Sequence, residues 1–420
     1  MTVAVTVQNS GGCFCFLKRK LLNSKTRNLI WTKQVKKNRQ IAELTPNLKN
    51  KFYLLKQAGN MTDFELLFTC FPHLAEEIFR SLDEDTLINC FEVSKSWRKF
   101  LSSNHSLITK LTSEHQGWDV VLGERNMAII PSLAESFIDL VKGFISHEYK
   151  FPSIHPIFCG IHSGNLELFQ NLTLLFPRFQ EPDYYSGPWY YKHPFHFAAR
   201  RGKLSIVNYF VEIAATEKEK NPMDKFGVHT PLHIASLCGH FEITKLLLTK
   251  IQGDKSPRSR AHGHTPLHLA ARNQRYEIVN LIMDNIKGTK NPGDDNGNTP
   301  LHIASKRGWI KIVELILNKI KGNKNPGNNY GITPLHLASE EGHYEIVNLL
   351  LDNIRVEKNP KDKFGSTPLH LAAAAGHSKV VKLILDKIKG NKMPKDEDGK
   401  TPLDMTRKKE IRKLFKRFPQ

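Results

Sequence analysis

Apolar and polar positions in the second half of this chain follow one pattern that recurs every 34 or 35 residues. Each copy has a short helical pattern that starts at Thr-Pro, a turn, and a longer stretch with apolar residues at helical spacing, such as Ile312, Val313 and Ile316. Six threonines mark the copies: Thr230, Thr265, Thr299, Thr333, Thr367 and Thr401. A fixed period of this size predicts a stack of helix pairs, an architecture that usually serves as a binding surface.

The copy around Thr299 shows the local signals best. Gly297 permits the positive φ that a tight turn needs, and Gly308 can end the short helix in the left-handed conformation. Thr299 is a good N-cap, and Pro300 suits the first helical position. Asn-Pro pairs end the longer helix, because the residue before proline is biased out of the helical region: Asn221-Pro222, Asn291-Pro292, Asn325-Pro326 and Asn359-Pro360.

This unit of turn, short helix, turn and longer helix, with Thr-Pro-Leu-His, resembles the ankyrin repeat. Tetratricopeptide repeats share the length but lack that signature. The resemblance implies an all-α solenoid with β-turn fingers over residues 151–420. We expect about eight repeats: two degenerate copies near His155 and His193, five regular ones, and a cap in which Asp404 replaces the histidine. Gln274 stands where the sibling copies have glycine, so we expect a strained or shifted turn there.

Histidines recur in the repeat and raise the question of a metal or acid–base site. The resemblance implies structural hydrogen bonds for them instead: His233, His268, His302, His336 and His370. His262, His264 and His268 also form a local H-x-H-x3-H pattern. Because His268 is committed to the repeat, we do not expect zinc there.

The net charge of +20 is uneven along the chain. Residues 1–60 hold twelve Lys or Arg and one acid, so they form a basic arm that we expect to be disordered. Residues 1–42 also weakly resemble a mitochondrial transit peptide, and an over-extended start is a further alternative. The six scattered cysteines favour a reducing compartment, cytoplasmic or nuclear, and no run of 18 apolar residues predicts a membrane span.

Residues 61–105 form a candidate domain of three short helices, which start near Pro72, near Asp83 or Asp85, and at Ser94. Helices this short cannot hide all their apolar surface, so they pack on neighbouring sequence or leave a patch for a partner. Residues 106–150 predict a helical spacer, because Pro131–Ile145 has an apolar face.

The stretch CFEVSKSWRKFL carries most of a resemblance to the F-box, with one residue fewer than usual between Pro72 and Ile78. In that family the box binds a Skp-type adaptor, which hangs from a cullin scaffold, while the following domain holds the substrate. The resemblance implies adaptor-binding roles for six residues: Phe71, Pro72, Ile78, Leu82, Val93 and Trp97. The alternative is that Ile78 and Trp97 are simply core side chains.

In ankyrin-like arrays the turn tips and the outer positions of the first helix form a concave recognition surface. Mapped onto this sequence, the candidate substrate-binding residues are Phe226, His262, Arg272, Lys306, Arg307, Tyr330, Glu340, Glu341 and Phe364. The alternative for each of them is that it is an ordinary solvent-exposed residue with no binding role. Their chemistry is mixed, with cations, carboxylates and aromatic anchors, and it suits a protein partner.

The leading hypothesis is a non-catalytic, monomeric substrate receptor of a Skp–cullin–F-box ubiquitin ligase that binds an unknown protein substrate. A plain ankyrin scaffold is the second hypothesis, and a nucleic-acid binder acting through the basic arm is the third. The sequence carries no phosphate loop, nucleophile elbow or metal constellation, so we expect neither enzyme activity nor a cofactor.

Overall fold

The computed structural model describes residues 101, 104–112, 118–123, 130–145, 155–179, 193–216, 218–224, 228–355 and 357–417. Every regular element in these ranges is an α-helix and none is a strand, which confirms the all-α fold class. The predicted basic arm and almost all of the F-box-like segment lie outside the described residues.

The described helices fall into two compact units. The first unit contains five of them: α1 (His105–Thr112), α2 (Trp118–Gly123), α3 (Ile130–Ile145), α4 (Pro156–Ser163) and α5 (Leu166–Leu175). Leu133, Phe137 and Leu140 on α3 are buried, and Trp118 meets the Phe137 ring edge-on with centroids 5.4 Å apart. Helix α3 packs on α4, the first helix of the more N-terminal degenerate repeat.

The second unit is a regular stack of helix pairs. The first helices of the pairs are α6 (Pro194–Arg201), α8 (Pro231–Cys238), α10 (Pro266–Arg272), α12 (Pro300–Arg307), α14 (Pro334–Glu340) and α16 (Pro368–Ala375). The second helices are α7 (Leu204–Ile213), α9 (Phe241–Lys250), α11 (Tyr276–Asn285), α13 (Ile310–Lys319), α15 (Tyr344–Asn353) and α17 (Ser378–Lys387). A single further helix, α18 (Lys409–Phe415), packs on α17.

Burial of equivalent positions holds the pairs together. First helices pack on first helices and second helices on second helices along the stack. Leu301 and Ala304 of α12 are fully buried, and the small alanine side chain lets the neighbouring helices approach closely. The predicted apolar stripe of α13 is buried as well, with Ile312, Val313 and Ile316 no more than 1% exposed.

The predicted helix boundaries are confirmed at the caps. Thr299 is the N-cap of α12, with its hydroxyl accepting from the backbone N–H of His302, and Pro300 follows as the first helical residue. Gly297 and Gly308 both adopt a φ of 78°. Gln274 has a φ of 58°, which makes it the one non-glycine residue with a positive φ in the described ranges and confirms the expected strain.

The last copy departs from the others, as its sequence predicts. Residues 402–405 form turns where the other copies have a first helix. The Asp404 carboxylate takes over part of the histidine's task, since it accepts from the Thr401 backbone N–H at 2.9 Å and from the Thr401 hydroxyl at 2.7 Å. No helix in the described part of the chain combines the length and apolarity needed to cross a bilayer.

Candidate functional site

The first helices α10, α12, α14 and α16 are each preceded by a tight turn that we call a finger, such as residues 294–298. The Asp294 backbone N–H donates to the Asn298 carbonyl at 2.8 Å, and the Asp294 carboxylate accepts from the backbone N–H groups of Asn296 and Asn298. Adjacent fingers are joined by backbone hydrogen bonds of 2.9–3.1 Å, whose acceptor carbonyls belong to His262, Asn296, Tyr330 and Phe364. The finger tips therefore form a continuous, regularly spaced row.

The signature histidines tie each repeat to the next one. His302 Nδ1 accepts from the Thr299 backbone N–H at 3.0 Å, and Nε2 donates to the Ile332 carbonyl in the next finger, also at 3.0 Å. The same pair of bonds forms at the other four regular copies, at His233, His268, His336 and His370. The carbonyl acceptor fixes the neutral tautomer with the proton on Nε2.

Burial keeps these imidazoles neutral. It lowers the pKa of His233 to about 3 and the pKa values of His268 and His302 to about 4. Both ring nitrogens are occupied and the rings are buried, so these residues support the fold and have no free nitrogen for a ligand. Where the chain is described, no group of three or more His, Cys, Asp or Glu side chains is arranged to hold a metal ion.

A second set of bonds links the turn between the two helices of a pair to the preceding repeat. His240, His343 and His377 donate from Nε2 to the carbonyls of Arg200, Lys306 and Glu340 at 2.9–3.1 Å. Arg275 and Lys408 occupy the equivalent position, and their side chains donate to the backbone carbonyls of Leu237 and Gly376.

Trp309 interrupts that set. It stands at the equivalent position opposite the turn of Gln274, and its Nε1 is buried without a hydrogen-bond partner in the described chain. At this junction Gln274 replaces the glycine of the turn, and Trp309 replaces the histidine, arginine or lysine that donates at the other described junctions.

The predicted recognition residues that the structure describes are exposed. Arg272, Lys306 with Arg307, and Glu340 with Glu341 lie at the C-terminal ends of α10, α12 and α14. His262, Tyr330 and Phe364 lie at finger tips, where the two aromatic residues are 50% and 60% exposed. Phe226 lies outside the described residues, and so do the six candidate adaptor-binding residues: Phe71, Pro72, Ile78, Leu82, Val93 and Trp97.

Sequence reasoning missed two further contacts. The side-chain oxygens of four asparagines accept from the backbone N–H at the second position of the following first helix, at 3.1–3.3 Å: Asn221, Asn291, Asn325 and Asn359. Arg258 braces two neighbouring fingers, since its guanidinium donates to the Gly293 carbonyl and, at 2.9 Å, to the Asp295 carboxylate. The Asn-Pro recurrence was the available signal for the first contact, and nothing in the local sequence marks the second.

Comparison with protein families agrees with this geometry. A family model described as ankyrin repeats (3 copies) matches residues 195–292, 286–362 and 353–407, which together span half of the chain. No F-box family model matches. No curated protein matches the sequence.

Proposed function

Because this chain belongs to the ankyrin-repeat family, whose repeats act as protein-interaction scaffolds, we propose that it is the substrate receptor of a Skp–cullin–F-box ubiquitin ligase. In this proposal residues 61–105 bind the Skp-type adaptor and the repeats bind a protein substrate. The chain itself contributes position, because it holds the substrate at a fixed place relative to the transfer machinery.

The observation that carries the adaptor assignment is the sequence of residues 71–101. It combines an apolar-Pro start at Phe71-Pro72, the apolar residues Ile78 and Leu82 four positions apart, and the pattern Val-Ser-x-x-Trp that ends at Trp97. Tryptophan is enriched among the hot-spot residues of protein interfaces, which is consistent with a binding role for Trp97. This segment precedes the interaction scaffold in the chain, with residues 106–150 between them, and that order supports the division of labour.

Binding of a purified Skp-type adaptor to the full-length chain tests this proposal. We expect a saturable complex, and we expect Trp97→Ala and Ile78→Ala to weaken it at least tenfold while the repeats stay folded. Trp309→Ala is the matched control, because it removes a tryptophan from the repeats and leaves residues 61–105 intact. If the wild-type chain does not bind the adaptor even at high concentration, the ligase proposal is wrong.

A plain ankyrin scaffold is the second candidate, and the match of the family model to the repeats alone favours it. In that case residues 61–105 only complete the fold. Pro72→Ala and Trp97→Ala would then lower the free energy of unfolding without abolishing a specific partner. Calorimetric melting of the same variants that are tested for adaptor binding separates the two candidates.

A further inference from the structure

The ends of the first helices carry a graded set of side chains. We call this set the helix-end row: residues 200–201, 237–238, 272–273, 306–307, 340–341 and 374–375. In chain order, the residue pairs of the row are Arg-Arg, Leu-Cys, Arg-Asn, Lys-Arg, Glu-Glu and Ala-Ala. Since consecutive first helices pack side by side, the row changes from basic to acidic to small and apolar over its last four members, from Arg272 onward. Leu237 and Cys238 are uncharged and separate Arg200 and Arg201 from that series.

The helix dipole accounts for only part of this gradient. Cations near a helix C-terminus interact favourably with the partial negative charge of the last carbonyls, so Arg272, Lys306 and Arg307 have a structural explanation. Glu340 ends α14 and Glu341 is its C-cap, so both carboxylates face that same partial charge unfavourably. Helix stability therefore does not explain the acidic pair.

Contacts inside the protein do not explain the acidic pair of Glu340 and Glu341 either. Glu340, Glu341, Lys306 and Arg307 are exposed. None of the four forms an ion pair with any residue that the structure describes. Opposite charges on adjacent helices are thus left for an outside partner to neutralise.

We propose that the helix-end row selects an extended protein segment with a fixed order of side chains. Acidic residues of the segment lie against Arg272 and against Lys306 with Arg307, and a basic residue follows at Glu340 and Glu341. An apolar residue then lies against Ala374 and Ala375, in the repeat whose finger exposes Phe364. The inference rests on the proposed role of the repeats in substrate binding, and it adds the chemistry of the substrate.

Geometry sets the spacing of that segment. Packed helices lie about 8–10 Å apart, and an extended chain advances about 3.3 Å per residue. One repeat therefore corresponds to about three residues of bound segment. The selected charges are expected to recur at that spacing, acidic before basic or the reverse, according to the direction in which the segment runs.

The acidic pair favours a protein segment over a nucleic acid. A phosphate backbone would be attracted by Lys306 and Arg307 but repelled by Glu340 and Glu341 on the next helix. A polypeptide can place a lysine or arginine at that point and satisfy both charges.

Panning a phage library of random 16-residue peptides against the full-length chain tests the inference. The wild-type chain is expected to enrich peptides with acidic and basic positions about three residues apart, followed or preceded by an apolar residue. Lys306→Glu combined with Arg307→Glu is expected to replace the selected acidic position with a basic one. Glu340→Lys combined with Glu341→Lys is expected to replace the selected basic position with an acidic one.

Lys287→Glu combined with Lys321→Glu is the matched control, because these exposed lysines lie in the connections between repeats and away from the row. The control should enrich the wild-type peptides. Enrichment without any charge order, or an order that neither row variant changes, overturns the inference. Displacement of the selected peptides by a labelled random RNA or DNA oligonucleotide also overturns the inference.

The result is independent of adaptor binding. If peptides with the expected order are enriched but the adaptor is not bound, the ligase proposal fails and the selectivity of the row stands. If the adaptor is bound and no order is found, the selectivity fails and the ligase proposal stands.

Discussion

Gln274 holds a backbone conformation that glycine holds at the equivalent turns of the other described pairs, at Gly164, Gly202, Gly239, Gly308, Gly342 and Gly376. A left-handed conformation costs an ordinary residue about 1–2 kcal/mol. The same junction also lacks the histidine bond to the preceding repeat, because the buried Trp309 Nε1 has no partner in the described chain. At the scale of single residues, this junction combines a strained turn with a buried N–H that has no partner in the described chain.

Gln274→Gly is expected to raise the free energy of unfolding by about 1 kcal/mol, which is the relief of strain less the extra freedom that glycine gains when unfolded. Urea unfolding of the two proteins measures the difference. Gly308→Gln is the reverse control and should destabilise more strongly, because a Cβ at Gly308 would lie 2.8 Å from the His343 ring. A loss of stability in Gln274→Gly would show that the turn is not strained.

The buried histidines predict a loss of stability in mild acid. Their pKa values are lowered on folding, so the unfolded chain binds protons that the folded chain excludes, and the stability they provide is present above the unfolded pKa of about 6.5. It is lost as the pH falls from there towards about 4 for His268 and His302 and about 3 for His233. Each buried ring contributes up to about 1.4 kcal/mol per pH unit in that window.

His302→Asn tests this origin. Urea unfolding at several pH values between 7 and 5 should show the free energy of unfolding falling with pH in both proteins. At the acid end of this range, the slope of the free energy of unfolding against pH should be smaller in the variant by about 1.4 kcal/mol per pH unit. This difference corresponds to the uptake of about one proton fewer on unfolding. An unchanged slope would mean that His302 takes up a proton as easily in the folded protein as in the unfolded one.

At the scale of the helices, Thr-Pro predicted the starts of the regular first helices because capping is local: Thr299 bonds a residue three positions away. The asparagine contacts were missed because the Asn325 amide serves Leu335, ten residues later and beyond a turn. The partner of Arg258 is 37 residues away, and the pairing depends on how two fingers stack. Contacts of that length follow from the packed structure and not from a local pattern.

Asn325→Ala is expected to lower the free energy of unfolding by about 1–3 kcal/mol, because it leaves the buried N–H of Leu335 without its acceptor. Asn296→Ala is the matched control: the same change at an exposed finger tip should alter stability by less than about 0.5 kcal/mol. Equal effects of the two changes would contradict the capping role of Asn325. Urea unfolding at neutral pH measures both.

At the scale of the whole molecule, the proposal assigns two tasks to two stretches of one chain. The sequence predicted the repeat solenoid and its exposed residues well, since thirty-odd residues repeated six times leave little freedom in fold class. It could not predict the ligand, because the exposed side chains of Lys306, Glu340 and Phe364 indicate which chemical groups could bind there but not which molecule carries them. The adaptor assignment remains a prediction from residues 71–101.

The central claim is that one chain binds adaptor and cargo at the same time and at separate sites. Analytical ultracentrifugation of the full-length chain with Skp-type adaptor and a fluorescent peptide from the library measures this directly. The account predicts one sedimenting species that contains all three. It also predicts that Trp97→Ala releases only the adaptor and that Lys306→Glu with Arg307→Glu releases only the peptide. Displacement of the peptide by the adaptor, or loss of both partners in either variant, would contradict the account.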